Sequence, residues 1–203
     1  MRSKISRMER QEQILLSLER FNFLTRSHIQ RLHRLGGDRN AQKVLRQMEA
    51  YLHSFREGYD TVYYLNKSGR EMIGAKKQVK RTLQTTHNLM RVDFFFHMGC
   101  PPHWFNERKV EIGGKVCVIP DALFFKDKQY NFLEVDNRQT MAENKAKVHK
   151  YRKMFESGVF QNDKNFGYFP TLHIVTVNKS RMKRFREICD GLPFQVYLID
   201  EIK

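Results

Sequence analysis

The apolar residues change their spacing once within the first 80 residues, and that change limits what the segment can become. Ile14, Leu15, Leu18 and Phe21 recur at the three- and four-residue intervals of a helix. Thr25 is placed to cap a second, short helix that carries Ile29 and Leu32. Gly36, Gly37 and Asp38 form a turn, and a third helix follows with Ala41, Val44, Leu45, Met48 and Leu52 along one face. The period then shortens. Ser54-Phe55-Arg56, a Glu57-Gly58 turn and the β-branched and aromatic run from Thr61 to Leu65 read as a hairpin, with Tyr59, Tyr63 and Tyr64 assigned to sheet packing. Ser68 and Glu71 have capping-box spacing, so a short helix resumes there.

Three helices followed by a hairpin is the order of a winged helix-turn-helix, whose third helix enters the major groove. Here that helix turns Arg39, Asn40, Gln42, Lys43, Arg46 and Gln47 outward. Arginine matches guanine, glutamine matches adenine, and lysine suits phosphate. Arg56 and Lys67, in and beside the wing, are candidate backbone contacts. The charge agrees. Lys and Arg number 37 against 22 Asp and Glu, a net +15, and the first 80 residues hold more than their share of the excess. A chain this basic usually meets a polyanion. The competing reading is a solvated basic surface with no partner.

Residues 81–203 alternate differently. A helix over 81–98 carries Leu83, Leu89 and Phe94. Strands are expected at Lys109–Ile112, at Val116–Ile119 running into Pro120-Asp121, and at Tyr130–Asp136. Thr140 and Glu143 form a second capping box, opening a helix to about Phe155. Leu172–Val177 reads as a buried strand, Ser180–Cys189 as a helix and Gln195–Ile199 as a last strand. This order gives an α/β domain, a mixed sheet covered by helices. The division is therefore residues 1–80 and 81–203, in an α+β or α/β chain.

Several classes fall away. The three cysteines, Cys100, Cys117 and Cys189, are widely spaced and show neither a disulfide framework nor zinc-site spacing, which points to a reducing compartment. His97, Cys100 and His103 lack a fourth ligand nearby. No apolar run reaches the roughly 20 residues of a membrane span, so the expected location is the cytoplasm. Neither GxxxxGK[ST] nor GxGxxG occurs. The eight histidines include no His-x-His, which excludes the nicking chemistry built on such a pair.

One constellation carries possible chemistry. Asp121 ends one strand and Glu134 sits near the end of the next, and two carboxylates so placed can hold Mg²⁺. Such a metal activates water and offsets charge on a phosphodiester. Pro120-Asp121 followed by Glu134-Val135-Asp136 resembles the PD-(D/E)XK nuclease fold. The longer series from Phe132 to Asp136, with Thr140, Lys147 and Tyr151, is similar to the replication-relaxation family of plasmids and other mobile elements. The resemblance covers nearly the whole chain and implies a winged helix followed by a restriction-endonuclease-like domain. It also implies a role in replication, mobilisation or gene control.

The nuclease pattern has Lys two residues after the Glu, where this chain has Asp136. Asn144, Lys147 and Tyr151 share one helical face, so Lys147 could supply the missing cation. Glu107 and Glu111 are outer carboxylate candidates. Two functions follow. One is a double-stranded DNA-binding factor, expected as a homodimer, with a nuclease-like scaffold that needs no cofactor to bind. The other is a Mg²⁺-dependent endonuclease using Asp121, Glu134, Asp136 and Lys147.

Overall fold

The structure, a computed structural model, describes residues 6–164 and 166–203. The chain divides into two compact units, Met1–Val92 and Asp93–Lys203. The division falls inside a helix, later than the 80/81 boundary drawn from sequence pattern.

The first unit opens with α1 (Arg7–Phe21), started by a capping box in which Ser6 accepts from the Glu9 backbone and Glu9 reaches back to Ser6. Thr25 and His28 form a second such box at α2 (Arg26–Leu32), after the two-residue strand β1 (Leu24–Thr25). α3 (Asp38–Arg46) follows Gly37. It ends earlier than its apolar spacing suggests. Met48 and Leu52 are buried, but Glu49–Tyr51 is a 3₁₀ turn and Leu52 already belongs to β2 (Leu52–Glu57). A tightened last turn keeps the apolar side inward while redirecting the backbone into a strand.

β3 (Asp60–Leu65) pairs with β2 on one side and β1 on the other, giving an antiparallel sheet in the order β1-β3-β2. The hairpin turn is Gly58-Tyr59, where Gly58 has a positive φ of 58°. Tyr59 therefore does not pack on the sheet. It stands at the tip, 98% exposed. Tyr64 does pack, 5.5 Å from Phe23 and 6.0 Å from Phe55. α4 (Lys67–Ile73) is capped by Asn66 and not by Ser68. Asn66 wins because its Oδ1 accepts from Gly69 while its Nδ2 donates to the Ala50 carbonyl. Ile14, Leu15, Leu18, Ile29, Ala41, Leu45 and Val62 form the core.

α5 (Thr85–His97) is shorter than the expected 81–98 helix, and Leu83 lies outside it, 71% exposed. The second unit contains a five-stranded sheet in the order β10-β9-β8-β7-β4. Its strands are β4 (Trp104–Asn106), β7 (Ala122–Lys126), β8 (Gln129–Asp136), β9 (Thr171–Thr176) and β10 (Phe194–Leu198). β8, β9 and β10 run parallel, whereas β7 is antiparallel to both β8 and β4, so the sheet is mixed. β5 (Val110–Ile112) and β6 (Lys115–Val118) pair only with each other. Asp121 thus precedes β7, a strand missing from the sequence reading, and does not end a strand of the main sheet.

α6 (Met141–Glu156) and α7 (Lys179–Cys189) contribute Val148, Tyr151, Met154, Phe185 and Cys189 to a core shared with Phe132, Leu172 and Ile174. The short α8 (Ile199–Ile202) ends the chain. Alternation along β8 puts Phe132, Glu134 and Asp136 on one face and Asn131, Leu133 and Val135 on the other. Among the described residues no helix is long and apolar enough to cross a membrane.

Candidate functional site

Each unit presents one candidate surface. In the first, Ala41, Val44 and Leu45 bury one side of α3, so Arg39, Gln42, Lys43 and Arg46 are forced outward and exposed. Asp38 sits in the first turn, where the helix dipole favours an anion. The Arg26 guanidinium pairs with it at 3.1 Å. Gln30 Nε2 donates to the Gly36 carbonyl at 2.6 Å, fixing the turn that leads into α3.

Two neighbours of that set are placed differently. Asn40 is exposed, but its Nδ2 is held by the Leu35 carbonyl at 2.6 Å. Gln47 lies just past the helix as its C-cap. Arg56 is on β2 and donates to Thr61 Oγ1 at 3.1 Å. Lys67 opens α4, 3.8 Å from Glu71. Tyr59, at the hairpin tip, is a surface group that sequence pattern assigned wrongly. Its signal was the Gly58 beside it, which marks a two-residue loop.

In the second unit Asp121, Glu134 and Lys147 come together. The Asp121 backbone N–H donates to the Leu133 carbonyl at 2.9 Å, and its Oδ2 accepts from the Val135 N–H at 2.7 Å. That pins the carboxylate against β8, beside Glu134. Lys147 reaches across from α6 to pair with Glu134 Oε2, and its Nζ is 3.9 Å from Asp121 Oδ1. One turn on, the Tyr151 hydroxyl donates to Glu134 Oε1 at 2.5 Å. Lys147 and Tyr151, with Asn144, line a cavity of about 70 Å³ under Glu134 and Asp136.

Burial chiefly, and then the Asp121 charge, push the Glu134 carboxyl up to about 8, against the pull of Lys147 and Tyr151. Burial opposes the charge on Lys147, yet Glu134 and Asp121 outweigh it and raise the ammonium. Burial first, then Glu134, drives the Tyr151 phenol well above its ordinary value, so it remains a donor.

The family model described as replication-relaxation matches residues 15–171, taking in α3, Asp121, Glu134, Asp136 and Lys147. The chain belongs to the replication-relaxation family. No curated protein matches the sequence of this family member. Among solved structures it is similar to one titled the structure of restriction endonuclease FokI, at 14% identity and a TM-score of 0.35. The alignment covers 95% of this chain and 43% of that one, so the replication-relaxation chain spans less than half its length. A TM-score of that size says nothing about activity.

Asp136 does not join the other carboxylates of the replication-relaxation chain. Its Oδ1 accepts from Asn144 Nδ2 and Arg181 Nη2, and its Oδ2 accepts from Thr176 Oγ1 and Arg181 Nε. Four donors, two of them from the Arg181 guanidinium, occupy both oxygens, so the charge of Asp136 is balanced by a cation from α7. Arg181 carried no sequence signal, being one of many basic residues on α7. Glu107 meets Asp121 by a backbone hydrogen bond of 3.2 Å, and Glu111 lies on β5 lining a different cavity. Among the described residues, no three His, Cys, Asp or Glu side chains gather as a metal site.

Proposed function

We propose that this chain binds double-stranded DNA through α3, acting as the recognition helix of a winged helix with the β2–β3 hairpin as its wing. The exposed face of Arg39, Gln42, Lys43 and Arg46 is the observation that carries the reading. Membership of the replication-relaxation family supports a role in replication, mobilisation or transcriptional control of a mobile element. The chain acts in the cytoplasm as a homodimer on paired half-sites.

In this reading the second unit is a nuclease-like scaffold that does not cut. Lys147 and Tyr151 already occupy both oxygens of Glu134, and the cavity beneath has room for only a few waters. The scaffold extends or pairs the DNA-binding unit and needs no cofactor.

The convergence of Asp121, Glu134 and Lys147 favours a second reading, a metal-dependent endonuclease. Two carboxylates fit Mg²⁺, which is commonly held by one or two such groups with phosphate oxygens. Asp121 and Glu134 would hold it, and it would supply charge stabilisation at a phosphodiester. Lys147 would then be the cation that position 136 lacks.

The experiment is incubation of supercoiled plasmid with the purified chain, with and without Mg²⁺ or Mn²⁺, beside Asp121→Ala and a duplex gel shift. A shift without nicking supports the binding factor. Metal-dependent nicking that Asp121→Ala removes replaces it with the endonuclease. Absence of any shift sinks the DNA reading.

A further inference from the structure

We propose that the second unit holds a site for an unstacked nucleobase, next to the Asp121–Glu134 pair on the same face of β8. This rests on the reading that the chain binds DNA, and it adds single-stranded or locally opened nucleic acid to what the chain takes.

A cavity of about 360 Å³ is lined by the rings of Phe105, Tyr130, Phe132, Phe160 and Phe166. Four of these rings, all but Phe132, are only half-buried. The other aromatic cluster of this unit is closed: Phe94, Trp104 and Phe124 are at most 4% exposed. Rings that bury elsewhere are thus left open around one hollow. Their faces differ in direction. Phe160 and Phe166 stand 5.3 Å apart at 82°, and Tyr130 and Phe166 stand 5.9 Å apart at 37°. A flat ring entering the hollow can therefore meet one face and several edges, the geometry aromatic pairs prefer.

The rim says what kind of flat ring. Arg108 and Lys109 are exposed there, with Glu111 as the acidic neighbour, so the entrance is net cationic. Arg108 already lies over Phe105 at 4.9 Å, a guanidinium and a ring forming one stacking surface. An apolar, aromatic hollow with cations at its mouth matches a base with its phosphate. The duplex loses a few kcal/mol on releasing a base, and stacking in a pocket offsets that.

Position supports the same occupant. Phe132 is two residues before Glu134 on one face of β8, and its ring lies 5.3 Å from Tyr151, the phenol bonded to Glu134. A strand with one base in the hollow would run its backbone along the side of the sheet that holds the carboxylate pair.

The test uses the full chain and one oligonucleotide sequence containing 2-aminopurine, as a single strand and as a perfect duplex. Emission is read for quenching and anisotropy for affinity. Two variants probe the hollow. Phe166→Leu keeps apolar bulk but removes a stacking face, and Arg108→Glu reverses the rim. Lys150→Glu makes the same charge change on the exposed side of α6 as a control.

The wild-type chain is expected to quench the single strand. Phe166→Leu should abolish the quench, and Arg108→Glu should weaken single-strand binding by about tenfold, within the range of one base–aromatic stack. Duplex affinity should follow the Lys150→Glu control. Duplex binding with no single-strand quench overturns this proposal and leaves the DNA reading intact. A quench that neither variant alters also overturns it. Loss of binding to both forms sinks both readings together.

Discussion

Arg181 grips Asp136 with two hydrogen bonds, Nε to Oδ2 and Nη2 to Oδ1, each 2.5 Å long. The same guanidinium donates to the Gln139 carbonyl at 2.6 Å, so α7, the end of β8 and the turn into α6 are tied through one side chain. The Asp136 side chain is 2% exposed. Removing its cation leaves a buried charge with only two neutral donors. Arg181→Ala is therefore expected to destabilise the second unit by about 3 kcal/mol. Adding Asp136→Asn should return part of that loss, because the stranded charge is gone. Urea unfolding followed by Trp104, the one tryptophan of the chain, measures both. If the double variant is less stable than Arg181→Ala alone, the pair is not held together by charge.

That tie also shows where sequence reasoning stops. Local signals were legible. The capping box at Thr140 and the outward face of α3 each depend on residues within a few positions, and the structure has both, whereas the hairpin turns one residue later than expected, at Gly58-Tyr59 and not Glu57-Gly58. Helical spacing put Asn144, Lys147 and Tyr151 on one face, and Lys147 does reach Glu134 and Asp121. Asp121 was found, but its strand was not, because Ala122–Lys126 reads as an apolar run without alternation. Arg181 meets Asp136 across 45 positions, with β9 between. No periodicity links residues so distant, and the sheet order that joins them is a tertiary fact. Asp136 therefore reads as a lost lysine in the sequence and as half of an ion pair in the structure.

Gly69 has no room for a side chain. A Cβ there would lie 2.2 Å from the Tyr51 carbonyl oxygen, a backbone atom that accepts from the Asn66 N–H and cannot swing away. Gly69 is in the first turn of α4, where alanine would otherwise favour the helix. The clash wins. Gly69→Ala is expected to cost about 3 kcal/mol in the first unit, read as a lower urea midpoint by far-ultraviolet circular dichroism. A neutral or stabilising result would mean that the 3₁₀ turn at Glu49–Tyr51 yields freely.

Acid should loosen the second unit through His173. Burial first, then the nearby charges of Lys126 and His97, lower its imidazole from 6.5 to about 4. Its ring lies between Tyr197, which it meets at Nδ1 at 3.0 Å, and Asn131, at Nε2 at 3.2 Å, with Phe94 and Phe124 packed beside it. Between pH 6.5 and 4 the unfolded chain takes up this proton and the folded chain does not. Stability is thus full above about 6.5 and declines as pH falls towards 4, by at most about 3 kcal/mol from this group. His173→Asn should flatten that decline when Trp104 reports unfolding. His33, lowered to about 4 by burial in the first unit, should keep its own acid limb. An unchanged slope in His173→Asn would show that the ring is already charged in the folded state.

Lys43 and Arg46 would separate the two kinds of DNA contact that the proposed recognition helix makes. Both are exposed in its last turn. A lysine that neutralises a phosphate releases a counterion, whatever the base sequence. Lys43→Ala should weaken binding alike on every duplex and reduce the slope of log affinity against log salt by about one. An arginine on a guanine edge discriminates instead. Arg46→Ala should cost about 1–3 kcal/mol on the duplex selected from a random pool, and much less on unselected duplexes. Anisotropy titrations at several salt concentrations give both quantities. If the two variants behave alike on all duplexes, α3 rests on the backbone and does not read bases. If neither changes affinity or slope, the helix is not in the groove, and the basic charge of this unit meets DNA elsewhere.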